Sequence, residues 1–349
     1  MRFHILGLPQ VGTTKDYYVC GFVPAIMNFS RMMTELGHET FIYTSDENTA
    51  VCTEAVQVMT AAEQKKWLGG THFVFAPFEL GIGMWEESSR RMAVEIGKRK
   101  QPHDFICSIA GYSQKTVFDA HPDLMVVEYM VGYPGIYAPY CVFSSHSWRQ
   151  YCYGKYDAKD DRFWDATIPL YFDPDDFRIA DKKEDYLLYT GRITPRKGIQ
   201  IAGEVAERVG LPLKLIGPGI TSDLPKHCEH LGIVSNEERA RLMGAARAVM
   251  VPTRYNEPFG ATVIEANLCG TPAITTDWGS FPEIVQNDVN GWRCNLLREF
   301  TFAVLAAPTL NPEKIRAHAI AKYSLEAIKP QYQNYFTRLS ALWGKGWYA

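Results

Sequence analysis

Short apolar runs alternate along the chain with longer segments in which apolar residues recur at helical spacing. Buried parallel strands give short continuous runs, and the helices between them give the longer period. The alternation therefore predicts βαβ units and an α/β fold. In the first half we expect helices at 20–36 and 84–100, and strands at 2–8, 39–43, 73–76, 105–109, 124–127 and 140–144.

A change of composition divides this pattern near residues 157–185. Two acidic, proline-containing stretches lie there, which is typical of a linker between domains. Ser235 and Glu238, further along, have the spacing of a capping box at a helix start. In the second half we expect strands at 186–189, 213–216, 248–251 and 273–275, and helices at 198–209, 235–246, 260–268 and 281–286.

We predict two Rossmann-like, doubly wound domains that face each other across a cleft. The first would span 1–170 and the second 171–328, and an aromatic-rich helix at about 329–349 would pack back on the first domain. Ligands of such sheets bind beyond the carboxyl ends of the strands. The loops that follow the strands are therefore where we look for chemistry.

Composition and charge exclude several classes of protein. The 349 residues are 46% hydrophobic and 21% charged, as in an ordinary globular protein of about two domains. The net charge of −3 argues against a protein that coats nucleic acid. No apolar run is long enough for a membrane span or a signal peptide. The eight cysteines are scattered and without zinc-binding spacing, so we expect free thiols and a cytoplasmic protein.

Residues 251–267 hold the richest candidate chemistry. A predicted strand leads into Glu257, and a predicted helix begins near Gly260 and carries Glu265 about one and a half turns further on. Gly260 allows a ligand to approach the backbone, and the free N–H groups of the helix start favour an anion. Two carboxylates would thus flank one anionic ligand.

A second anion-binding element follows the strand at 186–189. Gly191 is followed by Arg192 and, five positions later, by Lys197, before the next predicted helix. Fixed positive charges on a strand–helix loop suit a diphosphate, which arginine binds bidentately. Together the two segments predict a site for a phosphorylated ligand in the second half.

These segments resemble the donor half of retaining glycosyltransferases of family 4, which have the GT-B fold. The resemblance covers about residues 186–295. It is carried by Gly-Arg-x4-Lys-Gly at 191–198, Glu-x7-Glu at 257–265, Leu-Ile-Gly-Pro-Gly at 215–219, Leu-Gly-Ile-Val-Ser at 231–235, Cys-Gly-Thr-Pro at 269–272 and Pro-Glu-Ile at 282–284.

The resemblance implies a role for each matching position. Arg192 and Lys197 would hold the diphosphate of a nucleotide sugar, Glu257 would contact the transferred sugar, and Glu265 would bind the ribose hydroxyls. The resemblance further implies a metal-independent hexosyl- or pentosyltransferase with no cofactor beyond the nucleotide-sugar co-substrate. The other donor-binding candidates are Gly191, Gly217, Gly232, Ile233, Val234, Phe259, Gly260, Ala261 and Thr262.

The first half matches this family more loosely. Relatives carry a Gly-Gly loop after the first strand, where this chain keeps only Gly12, followed by Lys15. Relatives also carry a histidine at the end of a central strand, where this chain has Glu128. His146 is a further candidate. We treat these four residues as candidates for contact with the sugar or the acceptor.

Several functions stay open from the residues alone. We favour a saccharide or lipid-linked glycan as the acceptor, without a protein partner. The stretch 128–154 also resembles bacteriophage glycosyltransferases, some of which act on hydroxylated bases in DNA. A DNA acceptor needs a basic face built from Lys15, Arg90, Arg91, Lys98, Arg99, Lys100, Arg149 and Lys155.

A sugar-nucleotide epimerase and an inactive sugar-nucleotide binder would share the predicted fold, and both functions stay open. A nicotinamide enzyme is disfavoured, because no Gly-x-Gly-x-x-Gly follows the first strand. Asp173 and Asp175 imitate a metal-binding Asp-x-Asp, but they fall in the predicted linker around a proline. We therefore expect no metal site.

Overall fold

A computed structural model gives the structure of the chain. It describes residues 1–79, 81, 83–158, 160–219, 224–225 and 228–343. The chain divides into two compact units. The first contains 1–144, 149–171 and the residues from 328 on, and the second contains 145–148 and 172–327.

The first unit is built on a seven-stranded, fully parallel sheet of order β3-β2-β1-β4-β5-β6-β7. The strands are β1 Arg2–Leu6, β2 Glu39–Ser45, β3 Glu54–Met59, β4 Phe105–Ser108, β5 Met125–Val131, β6 Tyr140–Phe143 and β7 Ala166–Thr167. The helices that begin before residue 160 are α1 Phe22–Glu35, α2 Ala61–Leu68, α3 Gly83–Arg99, α4 Lys115–Ala120 and α5 His146–Lys155.

The second unit is built on a six-stranded, fully parallel sheet of order β10-β9-β8-β11-β12-β13. The strands are β8 Leu187–Thr190, β9 Leu213–Ile216, β10 Cys228–His230, β11 Ala248–Val251, β12 Ala273–Thr276 and β13 Gly291–Cys294. The helices are α6 Ile199–Val209, α7 Asn236–Ala245, α8 Ala261–Leu268, α9 Phe281–Ile284, α10 Leu297–Ala306, α11 Pro312–Tyr323 and α12 Leu325–Ser340, whose last thirteen residues belong to the first unit.

Both sheets reverse their strand order once, so the predicted α/β class with two doubly wound parallel sheets is confirmed. The reversal lies between β1 and β4 in the first sheet and between β8 and β11 in the second. The loops that leave the two strands at a reversal diverge and open a crevice for a ligand. In the second unit these are the loops at 191–198 and 252–260.

The predicted strand at 73–76 is wrong. Phe73–Phe75 forms a single 3-10 turn, capped by the His72 side chain, which accepts from the N–H of Val74. The neighbour of β2 is instead β3, an edge strand whose exposed glutamine interrupts the apolar run. An alternating edge strand gives a weaker signal than a short apolar segment, which explains the error.

The predicted capping box at Ser235 is half present. Ser235 Oγ accepts from the N–H of Glu238 at 3.1 Å, as a helix cap does. The Glu238 carboxylate pairs with Arg241 instead of returning to the cap. The start of α7 is therefore fixed by the serine alone.

Aromatic side chains of α12 pack into the core of the first unit. The Phe336 ring meets Phe3 edge-on at 4.7 Å and Phe105 at 5.1 Å, and the Tyr332 ring meets Phe29 at 5.2 Å. The helix predicted at about 329–349 ends at Ser340, and residues 344–349 lie outside the described part of the chain. All eight cysteines are described, and all are free thiols.

Candidate functional site

The loops that follow β8 and β11 approach each other closely at the strand-order reversal of the second unit. Gly198 adopts a left-handed conformation with φ +76°, and a Cβ there would lie 1.9 Å from the carbonyl oxygen of Pro252. The Arg254 N–H donates to the Arg196 carbonyl at 2.9 Å. Only glycine permits this contact at position 198, which brings Lys197 beside the loop that carries Glu257.

An ion pair joins the two loops. Lys197 Nζ lies 2.7 Å from Glu257 Oε2, and the carboxylate side chain is almost fully buried. A buried carboxylate needs a charged or hydrogen-bonded partner, and here the lysine of the other loop supplies it. The two residues singled out in different motifs thus share one site.

Tyr255 lies beneath the cations of this site. Its ring centroid is 4.8 Å from Arg196 Cζ and 4.9 Å from Lys197 Nζ, both within cation–π range. Burial, together with the Glu257 carboxylate, raises the pKa of Tyr255, so the hydroxyl stays a donor.

Helix α8 begins at the end of the Glu257 loop without a capping side chain. Gly260 is the N-cap, with φ +88°, and a Cβ there would lie 2.8 Å from the Phe281 ring. The first N–H groups of a helix have no acceptor within the helix, and its dipole favours negative charge. Ala261 and Thr262 therefore present backbone donors to an anion.

Glu265 lies one turn inside α8. Its Oε2 accepts from Arg239 Nη1 of α7 at 2.9 Å. The pair therefore joins two helices that both follow strands of the same sheet. Sequence reasoning did not assign a function to Arg239.

Three of the predicted glycines come together after the ends of β8, β9 and β10. The Gly217 N–H donates to the Gly232 carbonyl at 2.8 Å, and a Cβ on Gly217 would lie 2.1 Å from the Gly191 carbonyl oxygen. Beyond them Ile233 is 46% exposed, and Val234 is half-buried. The three loops thus form a close-packed backbone floor with an apolar side chain at its edge.

The Phe259 side chain is buried and meets the Tyr323 ring at 5.8 Å. Its carbonyl accepts from Ser280 Oγ at 2.7 Å. Gly279 packs on the same loop, since a Cβ there would lie 2.6 Å from the Glu257 nitrogen. These contacts hold the loop in place, so Phe259 acts on the site through the backbone.

In the first unit, Gly12 packs against the loop after β2. A Cβ on Gly12 would lie 2.7 Å from the carbonyl oxygen of Glu47, and the Thr13 N–H donates to that oxygen at 2.8 Å. Lys15 is exposed, with Nζ 5.8 Å from the Tyr18 ring centroid. The close approach that Gly12 permits is therefore to the chain itself.

Glu128 does not lie at a strand end, as the sequence suggested, but inside β5, where it is fully buried. Its Oε1 accepts from the Tyr133 hydroxyl, and its Oε2 accepts from the N–H groups of Tyr137 and Ala138 at 2.8 and 2.7 Å. Cys141 Sγ donates to the same oxygen. These hydrogen bonds hold the loop between β5 and β6 against the Glu128 carboxylate.

His146 is exposed at the start of α5, within the short segment 145–148 that belongs to the second unit. Glu283 accepts from the N–H groups of His146 and Ser147 at 2.9 and 2.8 Å. Ser145 Oγ donates to the Pro258 carbonyl at 2.6 Å. The segment is thus bound to the loop that carries Glu257.

Five of the eight basic residues expected on a DNA-binding face lie on α3 or directly after it, and all five are paired with carboxylates. Carboxylates of the same unit pair with Arg90, Arg91, Lys98, Arg99 and Lys100. The partners are Glu54, Glu63, Glu87, Glu95 and Asp123. This pairing counts against the basic surface that a DNA acceptor requires.

Asp173, half of the apparent Asp-x-Asp, caps a 3-10 turn by accepting from the Asp175 N–H at 3.1 Å. Within the described residues, no group of three or more histidine, cysteine, aspartate or glutamate side chains is arranged to hold a metal ion. No helix in that part of the chain is long and apolar enough to cross a membrane.

Sequence reasoning missed Tyr255 and Arg239. Tyr255 lies two positions before Glu257, and its aromatic ring between basic loops was a usable signal. Arg239 and Arg241 lie about 200° apart on a helix, so helical periodicity separates them but does not say which one faces Glu265. That choice depends on how α7 packs on α8.

Comparison with known families and sequences gives matches over part of the chain. Residues 173–295 match the profile of a family described as Glycosyl transferases group 1. A D-inositol 3-phosphate glycosyltransferase of Segniliparus rotundus is 30% identical over 161 residues, which are 39% of this chain and 35% of that protein. A glycogen synthase of Mycobacterium tuberculosis is 32% identical over 123 residues, 31% of this chain and 30% of the synthase. The matched region thus spans about a third of these relatives.

Solved structures match nearly the whole chain, at low identity. AviGT4, a glycosyltransferase involved in avilamycin A biosynthesis, has a TM-score of 0.68 at 21% identity and covers 98% of both chains. A sucrose-phosphate synthase from Thermosynechococcus elongatus has a TM-score of 0.71 at 15% identity, over 98% of this chain and 99% of that one. At these identities the likeness concerns the fold.

Proposed function

The chain carries a glycosyl transferases group 1 domain at 173–295 and has the GT-B fold, and on this premise we propose that it is a retaining glycosyltransferase. It would transfer a hexosyl or pentosyl group from a nucleoside-diphosphate sugar to a hydroxyl acceptor. The observation that carries this proposal is the Lys197–Glu257 ion pair beside the uncapped start of α8. A dianionic leaving group and a sugar would each meet a matching partner there.

The diphosphate would bind between the basic loop and the helix start. Arg192 and Lys197 supply positive charge, and the N–H groups of Ala261 and Thr262 supply donors. As the bond to the sugar breaks, negative charge grows on the leaving phosphate, and fixed cations and dipoles stabilise it. These groups would stabilise the leaving phosphate without a metal ion, so we propose metal-independent transfer.

Glu257 would face the transferred sugar and Glu265 the ribose. Glu257 is held by Lys197, so its carboxylate orientation is fixed before the donor binds. Ile233 at the edge of the glycine floor offers an apolar surface to the base. Attack by the acceptor on the face from which the diphosphate leaves, with the leaving phosphate taking the hydroxyl proton, would retain the anomeric configuration.

We propose a saccharide or a lipid-linked glycan as the acceptor. The carboxylate partners of the cations at 90–100 disfavour a DNA acceptor, which requires unneutralised charge along the duplex. A sugar-nucleotide epimerase and an inactive binder are separated from a transferase by the products.

The test is a donor screen with the full chain. UDP-, ADP-, GDP- and TDP-sugars are incubated with saccharide, lipid-linked and hydroxymethylated DNA acceptors, and products are identified by mass spectrometry and by NMR of the new anomeric bond. We expect a saccharide or lipid-linked product with retained configuration, at an unchanged rate in the presence of EDTA. Inversion, or loss of activity with EDTA, would contradict the mechanism, and donor isomerisation or binding alone would contradict the function.

A further inference from the structure

We propose that Arg239 is a positioning residue for nucleoside recognition, which holds the Glu265 carboxylate in place for the ribose of the donor. The inference rests on the proposed function, because it assumes that a nucleoside diphosphate binds at this edge of the sheet. It concerns how that site distinguishes a nucleotide from a bare diphosphate.

The two residues meet at the starts of neighbouring helices. Arg239 is the fourth residue of α7, which follows β10, and Glu265 is the fifth residue of α8, which follows β11. Because all strands of this sheet are parallel, both helices begin at the edge where the carboxyl ends of the strands lie. The pair therefore lies at the ligand edge.

The geometry leaves half of the carboxylate available. Arg239 Nη1 donates to Glu265 Oε2 at 2.9 Å. No residue in the described part of the chain donates to Glu265 Oε1, and the carboxylate side chain is 12% exposed. One oxygen is thus fixed by the arginine, and the other can accept from a hydroxyl of a ligand.

Fixing the carboxylate lowers the cost of binding. A glutamate side chain has several rotamers, and ordering them on binding costs free energy. The guanidinium holds one rotamer before the ligand arrives. A charge-assisted hydrogen bond to a ribose hydroxyl then forms without further ordering.

A second arginine on the same helix provides a matched control. Arg241 pairs with Glu238 one turn away on α7 itself, and its side chain is 57% exposed. It makes an ion pair of the same kind without contact to α8. A change that affects only helix stability would act at both positions, whereas positioning of Glu265 depends on Arg239 alone.

The experiment compares two probes by calorimetric titration of the full chain. The first is the nucleoside diphosphate among UDP, ADP, GDP and TDP that the wild type binds most tightly, and the second is inorganic pyrophosphate, measured by displacement. We expect Arg239→Gln to weaken binding of the nucleoside diphosphate about tenfold, which is the effect of about one charge-assisted hydrogen bond. Pyrophosphate affinity should change less than about twofold, and Arg241→Gln should change neither affinity.

A double-mutant cycle keeps the inference falsifiable if Arg239→Gln folds poorly. Glu265→Gln should weaken binding of the nucleoside diphosphate by a factor similar to that of Arg239→Gln. The double variant Arg239→Gln with Glu265→Gln should bind it no more weakly than Glu265→Gln alone. Equal losses for both probes, or additive effects of the two substitutions, would overturn the role of Arg239. A wild type that binds none of the four nucleoside diphosphates would instead overturn the proposed function itself.

Discussion

Tyr255 makes more contacts with the charged groups of the site than any candidate proposed from sequence. Its ring lies against Arg196 and Lys197, and burial together with the nearby Glu257 carboxylate raises the pKa of its hydroxyl. Each cation–π contact of this kind is worth about 0.5–2 kcal/mol, depending on how far it is desolvated. The tyrosine therefore holds the cations of the basic loop in place while the donor is absent.

Two substitutions of Tyr255 should separate the contribution of its ring from that of its hydroxyl. Tyr255→Leu removes both cation–π contacts, and we expect the KM for the nucleotide sugar to rise about tenfold, about 1.4 kcal/mol. Tyr255→Phe keeps the ring, and its KM should rise less than about threefold. Steady-state kinetics of both variants check this. Equal effects of the two substitutions on KM would show that the ring does not position the cations.

Candidate residues were identifiable from the sequence where they lie in a recognisable local motif. The Lys197 and Glu257 loops were identified from motif and spacing, and the structure brings their side chains to 2.7 Å. Glu128 was misjudged because its strand extends to Val131, which buries the carboxylate among partners up to thirteen positions away. Burial of a lone carboxylate depends on such tertiary contacts, which a local pattern does not contain.

Helix α8 would contribute to the candidate site through its N-terminus. The left-handed Gly260 permits the turn from the Glu257 loop into the helix while leaving the first turn without a capping side chain. The Phe281 ring packs close behind it. The anion binding that we propose for this helix start thus depends on one residue that has no side chain.

A glycine-to-alanine pair tests this. Gly260→Ala would force a Cβ to 2.8 Å from the Phe281 ring at a positive φ, so we expect the helix start to shift and nucleoside-diphosphate affinity to fall about tenfold. Gly210→Ala, at φ +70° with nothing within 4 Å, should cost a comparable left-handed strain of about 1–2 kcal/mol with unchanged affinity. Affinity and thermal unfolding are measured for both. A loss of affinity in both variants, or in neither, would contradict the role of the helix start.

Strands were predictable from the sequence when both of their faces are buried. The central strands β4, β8 and β11 are short, mainly apolar runs, and they were identified to within a few residues. Edge strands such as β3 were missed because they alternate, and the apolar stretch at Phe73–Phe75 misled because its Phe75 is 57% exposed in a turn. Apolar composition marks a strand only when a sheet neighbour covers it.

The whole molecule contains two parallel sheets of similar winding that differ in chemistry. In the second unit the loops at the strand-order reversal carry cations and an uncapped helix start. In the first unit the loop after β1 closes on Glu47 through Gly12. Strand alternation predicted both sheets, but only the motif-bearing loops indicated which one we propose to bind an anion.

Burial of Lys183 should make the free energy of unfolding depend on pH. Burial lowers the pKa of Lys183 to about 8, and its ammonium donates to the Gly244 carbonyl and to Thr271 Oγ1. Between pH 8 and the ordinary lysine value of about 10.4, the unfolded chain binds more protons at this site than the folded chain. The contribution of Lys183 to the free energy of unfolding therefore becomes more favourable as pH rises through this window.

Denaturant unfolding of the wild type and of Lys183→Met at several pH values isolates this contribution. Subtracting the free energy of unfolding of Lys183→Met from that of the wild type removes the contributions of the titratable groups that the two proteins share. We expect the wild-type free energy of unfolding, relative to Lys183→Met, to rise from pH 8 to pH 10 and to be flat from pH 6 to pH 7. A constant difference over the whole range would show that Lys183 titrates alike in the two states.

Binding of nucleoside diphosphates to the full chain tests the donor site most directly. UDP, ADP, GDP and TDP are titrated calorimetrically into the wild type, Lys197→Ala and Arg241→Gln, with thermal unfolding as the check on folding. We predict that at least one binds the wild type and Arg241→Gln equally. Lys197→Ala should lose about 2–4 kcal/mol, at least about thirtyfold in affinity, because it removes a phosphate partner and leaves the Glu257 carboxylate unneutralised. Absence of binding by all four, or equal binding by folded Lys197→Ala, would contradict the donor site.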